Sequence, residues 1–148
     1  MALKFLSRVV AALALFAGIT SATPLGAGEP AVIAGSGTSG SANGVGTEAT
    51  FNGPIGAALT PGKDVLHVSE YSGKTIRKIV LDTSVVTTVA TGFGALFHIS
   101  MSLDGVILFI VDTGNNAVKA MDTSTNVVTT FATGFNSPMG ITMSPTGL

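Results

Sequence analysis

Apolar positions in this chain fall in short runs broken by glycine, proline and asparagine. IGAALT at 55–60 is followed by a Pro-Gly turn and then by VLHVSE at 65–70. FHISMS at 97–102 is followed by Asp-Gly and then by VILFIVD at 106–112. After each second run come a Gly/Asn-rich turn and two more runs, the last being VVTTVA at 85–90 or VVTTFA at 127–132. Short runs rich in Val, Ile and Thr, bounded by turn residues, predict β-strands. Nothing reads as a long amphipathic helix, so the chain is expected to be all-β. Val106 to Val111 is apolar at every position, as in a strand covered on both faces. The VVTT runs suit an outer edge with one face in water, and Asp104-Gly105 reads as a hairpin turn.

The pattern repeats. FNGPIG at 51–56 returns as FNSPMG at 135–140, 84 residues later, and the midpoint is Phe93. VVTTVATGF at 85–93 matches VVTTFATGF at 127–135 at every position but Val89 and Phe131. In the same register Glu70 falls on Asp112, Gly73 on Asn115, Ile76 on Val118, and Gly56 on His98 and Gly140. A period of 42 residues holding four short strands is one propeller blade. The expected organisation is two full repeats, 51–92 and 93–134, the start of another at 135–148, and a strand of a preceding blade at Val32 to Gly35. Propellers close with about four to eight blades, and an open stack exposes apolar sheet faces. The chain is therefore expected either to be a fragment of a longer propeller or to assemble from several copies. Its last residue falling inside a blade favours the fragment.

VDTGNNAVKAMD at 111–122 with VVTTFATG after it, and the lead-in GSANGVGTEATFNGPIG at 40–56, resemble NHL repeats. DTSTNVVTTFATG at 122–134 is similar to the related YVTN-type propeller repeats. The resemblance covers residues 31–148 and implies a β-propeller of four-stranded blades. It implies further that FN-x-P leads into the innermost strand and that the D-T-G-N turn joins the second and third strands, both on one upper face. In the middle repeat Gly94-Ala95-Leu96 replaces Asn-x-Pro and His98 replaces glycine, which puts the usual loop conformation there in question.

Composition narrows the setting. The chain has 148 residues, 46% hydrophobic and 10% charged, with a net charge of −1 and no Cys, so it is neither disordered nor a nucleic-acid binder by charge. Lys4 and Arg8 precede the apolar run Val9 to Ile19, and Thr20, Ser21 and Ala22 follow. This is the pattern of a signal peptide, 1–22, with a linker at 23–30. The run is shorter than the roughly 20 residues of a membrane helix, so export to the periplasm or the extracellular space is expected, with no stable membrane span after cleavage. Without Cys, stability has to come from packing and strand pairing. There is no Asn-x-Ser/Thr acceptor, since Pro138 follows Ser137.

The candidate chemistry is sparse. GSGTSG at 35–40 matches G-x-G-x-x-G, but SANGVG follows it rather than a helix, and the plain reading is an inter-blade connection. His67 and His98 lie at non-equivalent positions and have no Cys to join them in a metal site. His67 reads as an ordinary strand residue, and His98 as a structural histidine that the resemblance places by the central channel. Glu70 and Asp112 could form a ring of carboxylates around a cation, but acceptance of backbone N–H bonds within their own turns is the better reading. Lys74, Arg77 and Lys78 read as a solvated basic face. No G-x-S-x-G and no oriented nucleophile is seen. No catalytic, cofactor or metal site is assigned, and no cofactor is expected.

The leading expectation is an exported propeller serving as a binding scaffold for a protein, peptide or glycan. Its candidate loop residues are Asn52, Glu70, Tyr71, Lys74, Asp112, Asn115, Asn116 and Asn136, with His98 at the channel. The resemblance leaves an alternative, a piece of a lactonase-like hydrolase or metal-dependent lyase whose site lies in further blades. Self-association of the partial propeller is the other expected partner mode.

Overall fold

A computed structural model describes residues 31–144. The expected signal peptide and linker, and positions 145–148, lie outside the described residues. Two antiparallel sheets form. The first contains β1 (Gly44–Val45), β2 (Pro54–Leu59), β3 (Val65–Glu70), β4 (Thr75–Val80) and β5 (Val85–Ala90), in the order β1-β5-β4-β3-β2. The second contains β6 (Leu96–Met101), β7 (Ile107–Asp112), β8 (Ala117–Asp122) and β9 (Val128–Thr133), in sequence order. These are two blades of a β-propeller, as the repeat requires.

The 42-residue period is written into the backbone. β6, β7 and β8 begin 42 residues after β2, β3 and β4. Even the irregularities recur, because the register shift at Ile76/Arg77 returns at Val118/Lys119. Equal apolar patterns meeting equal turns reproduce equal ladders.

The blades stack through one apolar layer. Ala58, Ile76, Ala90 and Phe93 from the first blade side meet Leu96, Ile99, Leu108, Ile110 and Met121 of the second. Each such fully buried aliphatic side chain contributes about 1.5–3 kcal/mol. The Ser69 hydroxyl donates to the Phe97 carbonyl at 2.6 Å across this layer, pinning the stack where it would otherwise slide. A second cluster covers the other face of the first blade, where Ala34, Ala49 and Phe51 pack on Leu66, Val68, Ile79 and Val86.

Three expectations change. Val32 to Gly35 is not a strand. Gly35 and Gly37 take φ of 105° and 80°, turning the chain out of any ladder, and its bonds are Gly35 N–H to Gly46 O and Ser36 N–H to Ala49 O, both 3.0 Å. The VVTT strand β5 is not the outermost of its blade, since β1 pairs with it through Gly44–Val86 and Val45–Val85. Residues 135–144, expected with 145–148 to start another repeat, carry no strand, and none of the described strands pairs with them. Among the described residues no helix is long and apolar enough to cross a membrane.

Candidate functional site

The lead-in loops and the β3–β4 and β7–β8 turns meet at one end of the blades, the upper end. The D-T-G-N segment makes a 3-10 turn at Thr113–Asn115 and closes with Asn116 in the left-handed region, φ 52°. Asparagine tolerates that conformation better than most residues. Its counterpart Lys74, φ 55°, closes the first turn, and its N–H donates to the Glu70 carbonyl at 2.9 Å.

Glu70 and Asp112 are both fully buried. Glu70 Oε1 accepts the Asn52 N–H at 2.8 Å, and Oε2 accepts the Thr75 hydroxyl. Asp112 Oδ1 accepts the Gly94 N–H at 2.8 Å, and Oδ2 accepts the Asn115 amide at 2.7 Å. Each carboxylate therefore clamps the lead-in loop to the following turn. The backbone donor comes from that loop, 18 residues upstream, and not from the carboxylate's own turn. The altered loop of the middle repeat keeps the same clamp but not the same backbone: Gly53 and Ser137 of the Asn-x-Pro loops take φ of 64° and 48°, whereas Ala95 at the equivalent position stays out of the left-handed region. The approach there is close: a Cβ on Gly114 would lie 2.3 Å from Ala95 N and 2.9 Å from Gly94 Cα.

Arg77, read as part of a solvated basic face, is wholly buried. Its guanidinium pairs with Glu70 at 3.2 Å and donates to Thr50 O and Ala42 O at 2.9 Å and to Asn43 Oδ1 at 3.0 Å. It also lies over the Phe51 ring at 5.1 Å. Arg77 thus fastens the 42–51 excursion to the first blade. One signal for it was present, since Arg77 alternates with Ile79 on one face of β4 while Lys78 lies on the other. The partner seven residues back and the acceptors at 42–50 belong to tertiary structure.

The remaining candidates divide. Asn52 uses Oδ1 to accept from the Ser39 hydroxyl at 3.3 Å, and Asn116 uses Oδ1 to accept from the Ser137 N–H at 2.9 Å. Asn115 is committed to Asp112. Tyr71, 45% exposed, stands edge-on to Phe97 with ring centres 5.5 Å apart. Lys74 and Asn136 are exposed at the same end. His98 lies apart from them in β6, exposed, with its N–H 3.4 Å from Met139 O. Beside Asn52 an open cleft of about 130 Å³ is lined by Gly35, Gly37, Thr38, Ser39, Phe51, Gly53 and Pro54, so the GSGTSG stretch does reach the upper end as a connection.

His67 is also not ordinary. It is 2% exposed, faces the second blade beside its cross-strand neighbour Lys78, and neither ring nitrogen has a hydrogen-bond partner. Burial, reinforced by the Lys78 charge, pulls its pKa from 6.5 down to about 4. At the lower end, Asp122 is held at about 2 by the Ser124 hydroxyl and the Thr125 and Ser124 N–H groups. Asp64 and Asp104 are lowered in the same way, chiefly by the Thr60 and Ser102 hydroxyls. Among the described residues no group of three or more His, Asp or Glu gathers as a metal site.

No family model and no curated protein matches this sequence. Solved structures do resemble the fold. Hydrazine synthase of Kuenenia stuttgartiensis is 22% identical with a TM-score of 0.60, over 66% of this chain and 28% of that one. A chain of a nidogen/laminin complex is 22% identical with a TM-score of 0.57, over 63% and 36%. Virginiamycin B lyase of Staphylococcus aureus is 21% identical with a TM-score of 0.54, over 65% and 33%. These neighbours are β-propellers, and the match spans about a third or less of each.

Proposed function

We propose that this chain is an exported NHL-type β-propeller scaffold whose upper loop face binds a protein, peptide or glycan. The observation that carries this reading is the double clamp of Glu70 and Asp112. By holding each lead-in loop against the next turn, the two carboxylates make a stiff platform and are themselves consumed, leaving Tyr71, Lys74 and Asn136 exposed on it. Rigid short loops with an aromatic and a cation suit recognition, because little order has to be imposed on binding. The NHL assignment rests on the lead-in and D-T-G-N motifs, and export on the leader pattern at 1–22.

The alternative, a piece of a lactonase-like hydrolase or metal-dependent lyase, would have its site in further blades, since backbone donors already occupy Glu70 and Asp112 in these two. Screening the full chain on a glycan array and a displayed peptide library, then repeating each hit with Tyr71→Ala and Lys74→Ala, tests the proposal. Loss of binding by tenfold or more in either variant supports it. Hits indifferent to both substitutions place recognition elsewhere and refute it.

A further inference from the structure

Three side chains of the first blade meet the second along one line. His67 and Ser69 share the face of β3 that turns toward β6, and Tyr71 stands just past the strand's end. The upper two are fixed: the Ser69 hydroxyl donates to Phe97 O at 2.6 Å, and the Tyr71 ring stands edge-on to that of Phe97. The backbones also close up here, since a Cβ on Gly56 would lie 2.9 Å from Phe97 O and 3.2 Å from His98 Cα. His67, the lowest of the three, is 2% exposed, and neither ring nitrogen has a hydrogen-bond partner. Both blades that form this seam carry their four strands, so the seam is whole.

A proton on His67 finds no counter-ion in the closed seam. Lys78, directly cross-strand on β4, repels it, and Ala58 of β2 is the other cross-strand neighbour. Asp64, which feels the Lys78 charge, is exposed in the turn below and accepts the Thr60 hydroxyl. From the second blade β6 brings Ile99 and Met101, and its His98 is exposed. Asp112 shares the face of Leu108 and Ile110, but its oxygens accept the Gly94 N–H and the Asn115 amide. Lys119 shares the face of Met121, with its ammonium on the Thr130 hydroxyl.

We propose that this seam is an acid-opened joint controlling the upper face: protonation of His67 parts β3 from β6, takes Tyr71 off Phe97 and releases what the face holds. Only the last step rests on the recognition role given to that face. With the seam closed, burial and then the Lys78 charge hold the imidazole neutral, at a pKa of about 4; with it open, the ring meets water and returns toward 6.5. Opening therefore takes up a proton, and the open fraction rises as pH falls from 6.5 toward 4. The coupling is reciprocal, so a ligand that holds Tyr71 against Phe97 also keeps the seam shut.

The chain has no Cys, so a single thiol introduced into the full chain reports the opening. Ala58→Cys places it in the seam, cross-strand to His67, with Ile99→Cys on the facing strand as a second reporter. Val86→Cys places it in the buried layer on the other face of the first blade, which only wider unfolding exposes. Labelling by a dithiodipyridine, which reacts with thiols in acid, is compared at each pH with the urea-unfolded protein, and folding is checked by circular dichroism. On that scale the seam thiols are expected to react about 30-fold faster at about pH 5 than at about pH 7.5. The rise is expected to vanish with His67→Phe and with His67→Leu. Tyr71→Ala is expected to speed seam labelling about two- to tenfold at both pH values, because opening breaks the edge-on ring pair. Val86→Cys reacting in step with the seam thiols, a pH response that survives both His67 variants, or labelling indifferent to Tyr71→Ala would each overturn the proposal. No ligand enters these measurements, so their failure and that of the binding screens are told apart.

Discussion

His67 makes the stability of the blade pair depend on pH in a defined window. Its neutral imidazole is sealed between the blades with both nitrogens unpartnered, and its pKa falls from 6.5 to about 4. Between these values the unfolded chain binds the proton and the folded chain does not. Stability is therefore complete above pH 6.5, falls as pH drops toward 4, and levels off below. The slope is about 1.4 kcal/mol per pH unit, and the whole shift amounts to about 3 kcal/mol. The repeat names the substitution that tests this, because Phe109 occupies the equivalent position of the second blade. His67→Phe removes the titration and also the standing cost of two unsatisfied nitrogens, about 1–3 kcal/mol for a buried polar group. His67→Leu guards against overpacking by the larger ring. Urea unfolding from pH 4 to 8 is expected to show both variants converging on one flat difference from wild type above pH 6.5, and gaining a further 3 kcal/mol or so toward pH 4. Asp64, Asp104 and Asp122, whose pKa values lie below the usual carboxylate range, lose their contributions only as pH falls further. They also cancel in the comparison. A variant-minus-wild-type difference that stays constant from pH 4 to 7 would falsify the account.

Other expectations follow from single contacts. Arg77→Ala strands Glu70 in the interior and frees the 42–51 excursion, and a loss of about 3–5 kcal/mol in urea unfolding is expected; a loss under about 1 kcal/mol would mean the pair is not buried in solution. Gly114→Ala drives a Cβ against the backbone of Ala95 and Gly94 and is expected to cost about 1–3 kcal/mol. Gly140→Ala, with nothing within 4 Å, serves as its control and is expected to stay within about 0.5 kcal/mol of wild type. Leu108→Ala opens a hole in the inter-blade layer and is expected to cost about 2–5 kcal/mol, read by the same assay.

The architecture was legible because the chain states it repeatedly. VVTTVATGF and VVTTFATGF set the period, and the period placed β6, β7 and β8 relative to β2, β3 and β4. The candidate site was legible only as a location. Glu70 and Asp112 were found by register and were rightly read as hydrogen-bond acceptors, yet their backbone donors, Asn52 and Gly94, sit in another loop that only the folded sheet brings near. Arg77 was misread for a related reason. Between Lys74 and Lys78 it resembles a surface cluster, but Lys74 sits in the turn before β4, and strand parity puts Arg77 on the face opposite Lys78, under the 42–51 excursion. Val32 to Gly35 looked like a strand by composition, but the glycines on either side of Ser36 turn the chain away. Residues 138–143 have a strand's sequence and position without its ladder, which a sequence pattern cannot supply by itself.

The Arg77 fastening also has a mechanical consequence. Its guanidinium grips Ala42 and Asn43 at one end of the 42–51 excursion and Thr50 at the other, so the excursion is closed like a buckle. Tension applied at the amino-terminal side first strips the bonds of Gly35 and Ser36, then reaches this buckle, and must shear its hydrogen bonds together before any load falls on β2. The wrap therefore acts as a force absorber ahead of β2, anchored on β4. A pull on the amino-terminal side lengthens the chain in two steps, and β2 carries load only after the first has yielded.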